Sequence, residues 1–257
     1  MIMPERLRGQ YLAGVLAVAF TVLYFAAQSW GREPVLVSTD VLFMVVSGSC
    51  ALLGLLAVRE LGFRGKFGFV HLGLFLAVFL WFLGETGWGI YEIFLHVEVP
   101  YPSLADVFYL AGYLPAAVGM MQFLWFFRKP FTPRRLAVVF LSGLVTVGAS
   151  WVALYAPLTE SADILTKTMD VGYPVLDVLL IVLAIMMAMA FADGSIGKAW
   201  LWIAVGLLLN AVGDIAFSYG TLMGWYYSGH PMELLYLWGY LSLGLGFAQQ
   251  AKAFGAK

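Results

Sequence analysis

Three carboxylic acids, Glu85, Asp177 and Asp214, stand inside stretches of sequence that are otherwise apolar. A carboxylate facing lipid is costly, so we expect each to face the protein interior or a wet cavity. Such an acid can carry the charge of a cationic ligand or hydrogen-bond a neighbouring helix. Two aspartates that share a proton can also activate a water molecule. Asn210 lies one helical turn before Asp214 and could join the same site.

Four tyrosines repeat with the same spacing in the two halves of the chain. Tyr109 and Tyr113 are four residues apart, and so are Tyr236 and Tyr240. A buried tyrosine hydroxyl needs a polar partner, which allows a role in packing at the membrane interface as well as in orienting a ligand. The predicted ligand-binding set is therefore Glu85, Asp177, Asp214, Asn210, Tyr109, Tyr113, Tyr236 and Tyr240.

Asp106 and Glu233 have a different expected role, as structural caps. Asp106 closes a Ser103-Leu-Ala-Asp106 segment that has the form of a capping box, and Glu233 follows Pro231 at the start of a predicted helix. Acids at these positions satisfy free backbone N–H groups and meet the positive end of the helix dipole.

The composition indicates that these residues are positioned by membrane helices. Hydrophobic residues make up 62% of the chain and charged residues 11%, and the mean hydropathy is +0.90. Soluble domains carry only about 45–50% apolar residues, so the lipid bilayer is the expected solvent and partner. The net charge of −1 gives no sign of a nucleic-acid partner. Cys50 is the sole cysteine, which excludes an intramolecular disulfide.

Apolar runs of about the length needed to cross a bilayer predict an all-α integral membrane protein with eight spans. The first run lacks a cleavage pattern, so we interpret it as a helix and not as a signal peptide. The predicted spans lie near 11–28, 40–58, 69–94, 105–127, 135–156, 172–192, 199–219 and 232–250.

The spans form two copies of one unit. Residues 106–122 align without gaps on 233–249, an offset of 127 in a chain of 257. The sequence therefore predicts one membrane domain made of two parallel four-helix repeats, 1–130 and 131–257, with a site between them. Gly84-Glu85 and Gly213-Asp214 match at an offset of 129, and a difference of two residues in the length of the following outer loop would make the two acids equivalent.

The distribution of Lys and Arg predicts the orientation. Twelve of the 14 fall before the first span, in the even-numbered loops or after the last span, and only Arg32 and Lys167 fall in the others. By the positive-inside rule both termini are cytoplasmic, in a plasma membrane, and the acidic pocket faces outward.

Several chemistries have little support in the residues. No lysine lies deep in a span, as a retinal Schiff base would require, and the histidines are not spaced for haem or metal, so we expect no cofactor and no metal. The Asp177 and Asp214 pair leaves an intramembrane hydrolase open as an alternative. The segment Ala211-Val-Gly213-Asp214 lacks the first glycine of the protease motif, and we assign no catalytic residue. Transport of a small cation or solute is the other alternative.

Two stretches resemble a known family. They contain Leu83-Gly-Glu85-Thr-Gly-Trp88, Pro102-Ser-Leu-Ala-Asp106-Val-Phe-Tyr109 and Gly213-Asp214-Ile-Ala-Phe-Ser-Tyr219, and they cover about 80–125 and 205–250. They are similar to the multi-span N-terminal sensory region of archaeal and bacterial sensor histidine kinases and diguanylate cyclases. Glu233 and Tyr236 depart from that pattern, in which aspartate and tryptophan are usual.

The resemblance implies a ligand-sensing or scaffold module. The acidic and aromatic residues of the predicted pocket indicate a non-enzymatic protein that binds a small cationic or lipid-like ligand. Only seven residues follow Gln250, so we expect it to signal through a protein partner.

Overall fold

The computed structural model describes residues 5–63, 65–127, 132–160, 164–191 and 195–255. Four of the 14 Lys and Arg residues lie outside these ranges: Arg64, Arg128, Lys129 and Lys257. The described chain is helical and contains no strand. Its eight helices are α1 Glu5–Ala27, α2 Arg32–Leu61, α3 Lys66–Gly89, α4 Leu104–Phe127, α5 Pro133–Glu160, α6 Ile164–Ala190, α7 Ser195–Leu222 and α8 Leu234–Gly255.

The helices follow the predicted apolar runs but extend beyond them. α2 begins at Arg32 and α6 at Ile164, each eight residues before the start of the predicted span. Short segments of other geometry flank the main helices: 3₁₀ turns at Gln28–Trp30 and Pro231–Glu233, and a π-helical turn at Ile90–Phe94.

Six helical stretches among the described residues are long and apolar enough to cross a bilayer: Gly9–Trp30, Arg32–Leu61, Lys66–Phe94, Leu104–Phe126, Ile164–Ala190 and Ile196–Leu222. Large apolar side chains lie exposed on their outer surfaces, as Val18 and Leu114 do with 65% and 69% of their surface accessible. Since water disfavours such surfaces, the two observations together indicate a membrane protein.

The helices pack with related neighbours in the two halves. α3 packs on α4 and α7 on α8, while α2 packs on α3 and α8, and α6 packs on α7 and α4. One end of the bundle is filled by apolar rings, including the fully buried Phe123, Trp200 and Phe247. The acidic residues gather at the other end, where α3 and α7 finish and α4 and α8 begin.

Candidate functional site: an acidic cavity lined with aromatic residues

A single cavity of about 110 Å³ contains all eight of the predicted ligand-binding residues in its wall. Its lining side chains come from α2, α3, α4, α6, α7 and α8 and from the loops before α4 and α8. None of them is a Lys, Arg or His. The acidic residues in the wall are Asp40, Glu85, Asp106, Asp177, Asp214 and Glu233.

Asp214 joins the two halves of the chain. Its Oδ1 atom accepts a hydrogen bond of 2.9 Å from Tyr236 on α8, the helix that follows its own. Its Oδ2 atom accepts a hydrogen bond of 3.3 Å from Tyr113 on α4, in the other half. Tyr236 directs its hydroxyl proton at Asp214, whereas Tyr113 has a single proton that it shares between Asp214 and Asp177, so the carboxyl group of Asp214 is contacted from two sides.

Glu85 has the corresponding pair of tyrosines. Its Oε1 atom accepts a hydrogen bond of 2.7 Å from Tyr240 on α8, in the other half. Tyr109, on the helix that follows α3, also hydrogen-bonds this carboxyl group. Each acid is therefore bonded by one tyrosine from its own half and one from the opposite half.

Two glycines allow this close approach. A Cβ atom on Gly84 would lie 2.5 Å from the ring of Tyr109, and one on Gly213 would lie 2.7 Å from the ring of Tyr236. Real Cβ atoms do not come so near, so a side chain at either position would have to displace the ring. The Gly-acid pairs of α3 and α7 are therefore matched in packing as well as in sequence.

Asp177 is the most buried of the three acids predicted to lie within spans, with 5% of its surface exposed. Its Oδ1 atom accepts a hydrogen bond of 2.6 Å from Tyr113. Its Oδ2 atom is buried and receives no hydrogen bond from a hydroxyl, amide or basic group of the described residues, whereas the acid hydrogen-bonds the carboxyl group of Asp214. The carboxyl of Asp214 lies next to it, so Tyr113 bridges two neighbouring acids.

Asp40, the first residue of the predicted span 40–58, belongs to the cavity wall. It is 6% exposed, and its Oδ2 atom likewise receives no hydrogen bond from a hydroxyl, amide or basic group of the described residues, whereas the acid hydrogen-bonds Glu92. Glu92, in the π-helical turn, lies beside it and accepts a hydrogen bond from Ser228. Because α2 begins at Arg32, Asp40 lies two turns inside the helix. Its position in the cavity wall could be predicted only if the start of the helix were known.

Asp106 has the geometry of a capping box and also faces the cavity. Its Oδ2 atom accepts hydrogen bonds from the backbone N and the Oγ of Ser103, at 2.6 and 3.0 Å. The Oγ of Ser103 in turn accepts from the backbone N of Ala105 at 3.2 Å. Its second oxygen, Oδ1, accepts a hydrogen bond of 2.7 Å from Tyr173 on α6. This acid therefore ties the first turn of α4 to the other half of the chain.

Glu233 is the last residue of the 3₁₀ turn before α8, and its carboxyl group accepts three hydrogen bonds. Its Oε1 atom accepts hydrogen bonds from the backbone N of Gly229, at 3.0 Å, and from Tyr226, at 2.7 Å. Its Oε2 atom accepts one from Tyr24 on α1. Burial and the adjacent Glu233 raise the pKa of Tyr226, so this hydroxyl keeps its proton and remains a donor at neutral pH.

Asn210 lines the cavity but is partly occupied by its own helix. Its amide nitrogen donates a hydrogen bond of 2.8 Å to the carbonyl oxygen of Gly206 and packs against Gly239 on α8. A ligand could therefore use the amide oxygen of Asn210 more readily than its nitrogen.

Aromatic rings complete the wall, and sequence reasoning did not select them. Trp88 on α3 and Phe217 on α7 meet edge to face, with ring centroids 5.9 Å apart. Trp81 donates a hydrogen bond of 3.0 Å to the carbonyl oxygen of Tyr109, and Phe43 lies on the α2 side. With aromatic residues at 16% of the chain, no local pattern distinguishes these rings from those that face lipid.

No group of three or more His, Cys, Asp or Glu side chains in the described chain is arranged to hold a metal ion. No protein-family model, curated protein or solved structure matches this chain. The resemblance to sensory membrane regions accordingly stays a prediction.

Proposed function

We propose that this chain is an integral membrane protein that binds a small cationic ligand in the acidic cavity between its two halves. The single observation that carries the proposal is the pair of buried carboxylate oxygens, on Asp40 and Asp177, that receive no hydrogen bond except from a second acid, in a wall whose described residues include no basic side chain. A buried charge without a partner is costly, and a cation that donates hydrogen bonds removes that cost.

The architecture that we propose is eight spans in two parallel four-helix repeats with both termini in the cytoplasm of the cell, so that the cavity faces outward. It is supported by the matched packing of Gly84 on Tyr109 and of Gly213 on Tyr236. It is further supported by acids that accept hydrogen bonds from tyrosines of both halves. A ligand that neutralises these acids binds best in one arrangement of the helices and shifts the protein toward it. We propose that this shift is relayed to a protein partner, as in a sensory module.

The test is thermal unfolding of the purified protein in detergent with increasing butylammonium chloride, against sodium chloride at equal ionic strength. Ligand binding raises the unfolding midpoint in proportion to the logarithm of ligand concentration above Kd. We expect the wild type to show this rise and the double variant Asp40→Asn/Asp177→Asn to lose it while keeping its helical circular dichroism. No rise for the wild type, or an equal rise in the variant, would refute the proposal.

A second function is favoured by one specific observation, the adjacency of Asp177 and Asp214 with Tyr113 between them. Paired aspartates that share a proton can activate water for hydrolysis of a peptide or lipid. This function predicts product formation in proteoliposomes, detected by mass spectrometry, that either Asp177→Asn or Asp214→Asn abolishes. A pure binding protein would give no product with the wild type or with either variant.

A further inference from the structure

The acids of the cavity fall into two classes when their hydrogen bonds are compared. Four of them accept a hydrogen bond from at least one tyrosine and have no orphan oxygen among the buried atoms: Glu85, Asp106, Asp214 and Glu233. Asp40 and Asp177 each keep a buried oxygen that receives no hydrogen bond from a hydroxyl, amide or basic group of the described residues, and each acid hydrogen-bonds a second acid instead. The tyrosines thus satisfy the first class and leave two carboxylates for a ligand.

Each of these two carboxylates stands beside a second acid. Asp40 lies next to Glu92, and Asp177 lies next to Asp214. A shared proton can hold each pair together, and an ammonium group that replaces this proton gives both carboxylates a donor and a positive charge. An ammonium group, which is a cation with N–H bonds, therefore suits both pairs of acids.

The two pairs of acids belong to opposite halves of the chain. Asp40 reaches the cavity from α2, and Asp177 reaches it from α6. α2 packs on α3 and α8, whereas α6 packs on α7 and α4, so the two helices occupy corresponding positions in the bundle. α2 and α6 do not pack closely on each other, so the two carboxylates reach the cavity from different sides, and we expect one small monovalent cation to reach only one of them.

The remaining wall is apolar enough to accept a hydrocarbon linker. Phe43, Trp81, Trp88 and Phe217 present rings to the cavity, and Leu180 and Leu207 present alkyl side chains. Aromatic rings also attract ammonium groups and bury the methylene groups next to them.

We infer that the ligand of this cavity is a linear diammonium compound, with an N–H-bearing ammonium at each end of an alkyl spacer. This inference rests on the proposed function and specifies its ligand class. One ammonium donates to Asp40 and the other to Asp177. Quaternary ammonium groups carry the same charge without a donor and leave both oxygens unsatisfied.

The experiment compares three compounds with the same hexyl chain: the diamine hexamethylenediamine, the monoamine hexylamine and the bis-quaternary compound hexamethonium. Calorimetric titration of the full chain in detergent gives Kd for each. We expect the diamine to bind tightest. Asp40→Asn and Asp177→Asn should each weaken diamine binding by roughly 10- to 100-fold, to near the affinity of hexylamine.

Asp170→Asn is the matched control. Asp170 is on the same helix as Asp177 and accepts a hydrogen bond of 2.8 Å from Tyr101, but it is not part of the cavity wall. It should leave diamine affinity unchanged. Unfolding midpoints without ligand show whether each variant folds. The Asp40 and Asp177 variants should be at least as stable as the wild type, because each substitution removes repulsion between two paired acids.

The outcomes separate this inference from the proposed function. Equal affinity for hexylamine and the diamine, or for hexamethonium and the diamine, overturns the diammonium inference and leaves a cation site in place. No binding of any of the three overturns both.

Discussion

Tyr113 on α4 donates a hydrogen bond of 2.6 Å to Asp177 on α6, across the boundary between the two halves of the chain. The same hydroxyl lies 3.3 Å from Oδ2 of Asp214 on α7. One oxygen atom therefore holds two neighbouring carboxyl groups in place. A residue in this position sets both the stability of the interface and the shape of the cavity.

Tyr113→Phe should destabilise the protein by about 1–3 kcal/mol, because it removes the Oδ1 hydrogen bond of a buried carboxyl whose Oδ2 atom already lacks a hydroxyl, amide or basic donor among the described residues. Tyr219→Phe, on the exposed face of α7, is the control and should change stability by less than about 0.5 kcal/mol. Denaturant titration in mixed micelles measures both. Equal effects from the two variants would contradict the assigned role of the Tyr113 hydroxyl.

Gly84→Ala and Gly213→Ala should each destabilise the protein by about 1–3 kcal/mol, because the new Cβ would press on the ring of Tyr109 or Tyr236. Gly172→Ala in α6 meets no atom within 4 Å and should be neutral or stabilising, by up to about 1 kcal/mol. The comparison of the first two also tests the proposed duplication. A large effect at one glycine and none at the other would show that the two positions are not equivalent.

His230 should make stability depend on pH. Burial lowers its pKa, and its Nδ1 atom accepts a hydrogen bond of 3.1 Å from the backbone N of Met232 at the start of the 3₁₀ turn. Only the neutral ring can accept there. Because the folded pKa is below the unfolded value of about 6.5, the contribution is full above that value and is lost as pH falls below it.

The measurement is the difference in unfolding midpoint between wild type and His230→Ala across that range of pH. We expect a difference at pH 8 that shrinks toward acidic pH. His230→Asn, whose side-chain oxygen can accept the same hydrogen bond, should preserve stability without the pH dependence. A difference that grows on acidification would contradict the assigned acceptor role.

Cysteine labelling in intact cells tests the proposed orientation. Cys50 is buried, so Cys50→Ala gives a background without thiols. Phe63→Cys, between α2 and α3, should be protected from an impermeant thiol reagent, and Tyr227→Cys, between α7 and α8, should react. Both parent side chains are exposed, which makes them a matched pair. The reverse pattern would invert the proposed topology.

Much of the helical framework was predictable because long apolar runs are separated by prolines and charges. Every predicted span falls on a helix of the structure. The gathering of Glu85, Asp177 and Asp214 in one cavity also followed from physical reasoning, because ionisable groups inside apolar segments avoid lipid.

What escaped prediction depends on tertiary contacts or on helix length outside the apolar runs. Asp40 looked like a residue at a helix end, because hydropathy marks where the apolar segment starts and not where backbone hydrogen bonding starts. The contact of Glu92 with Ser228 joins residues 136 apart in the chain, so no local pattern encodes it. Which of the acids have a hydrogen-bond donor for each carboxyl oxygen can likewise be seen only in the three-dimensional structure.

None of the described side chains that line the cavity comes from α1 or α5. Both helices expose large apolar residues, as Val18 and Phe140 show, so they form an outer layer around a six-helix inner unit. Under the proposed function, substitutions of the lipid-facing side chains of α1 and α5 should leave the cavity wall and the ligand affinity unchanged. Tyr24 on α1 is the exception, because its hydroxyl donates a hydrogen bond to Glu233 in that wall.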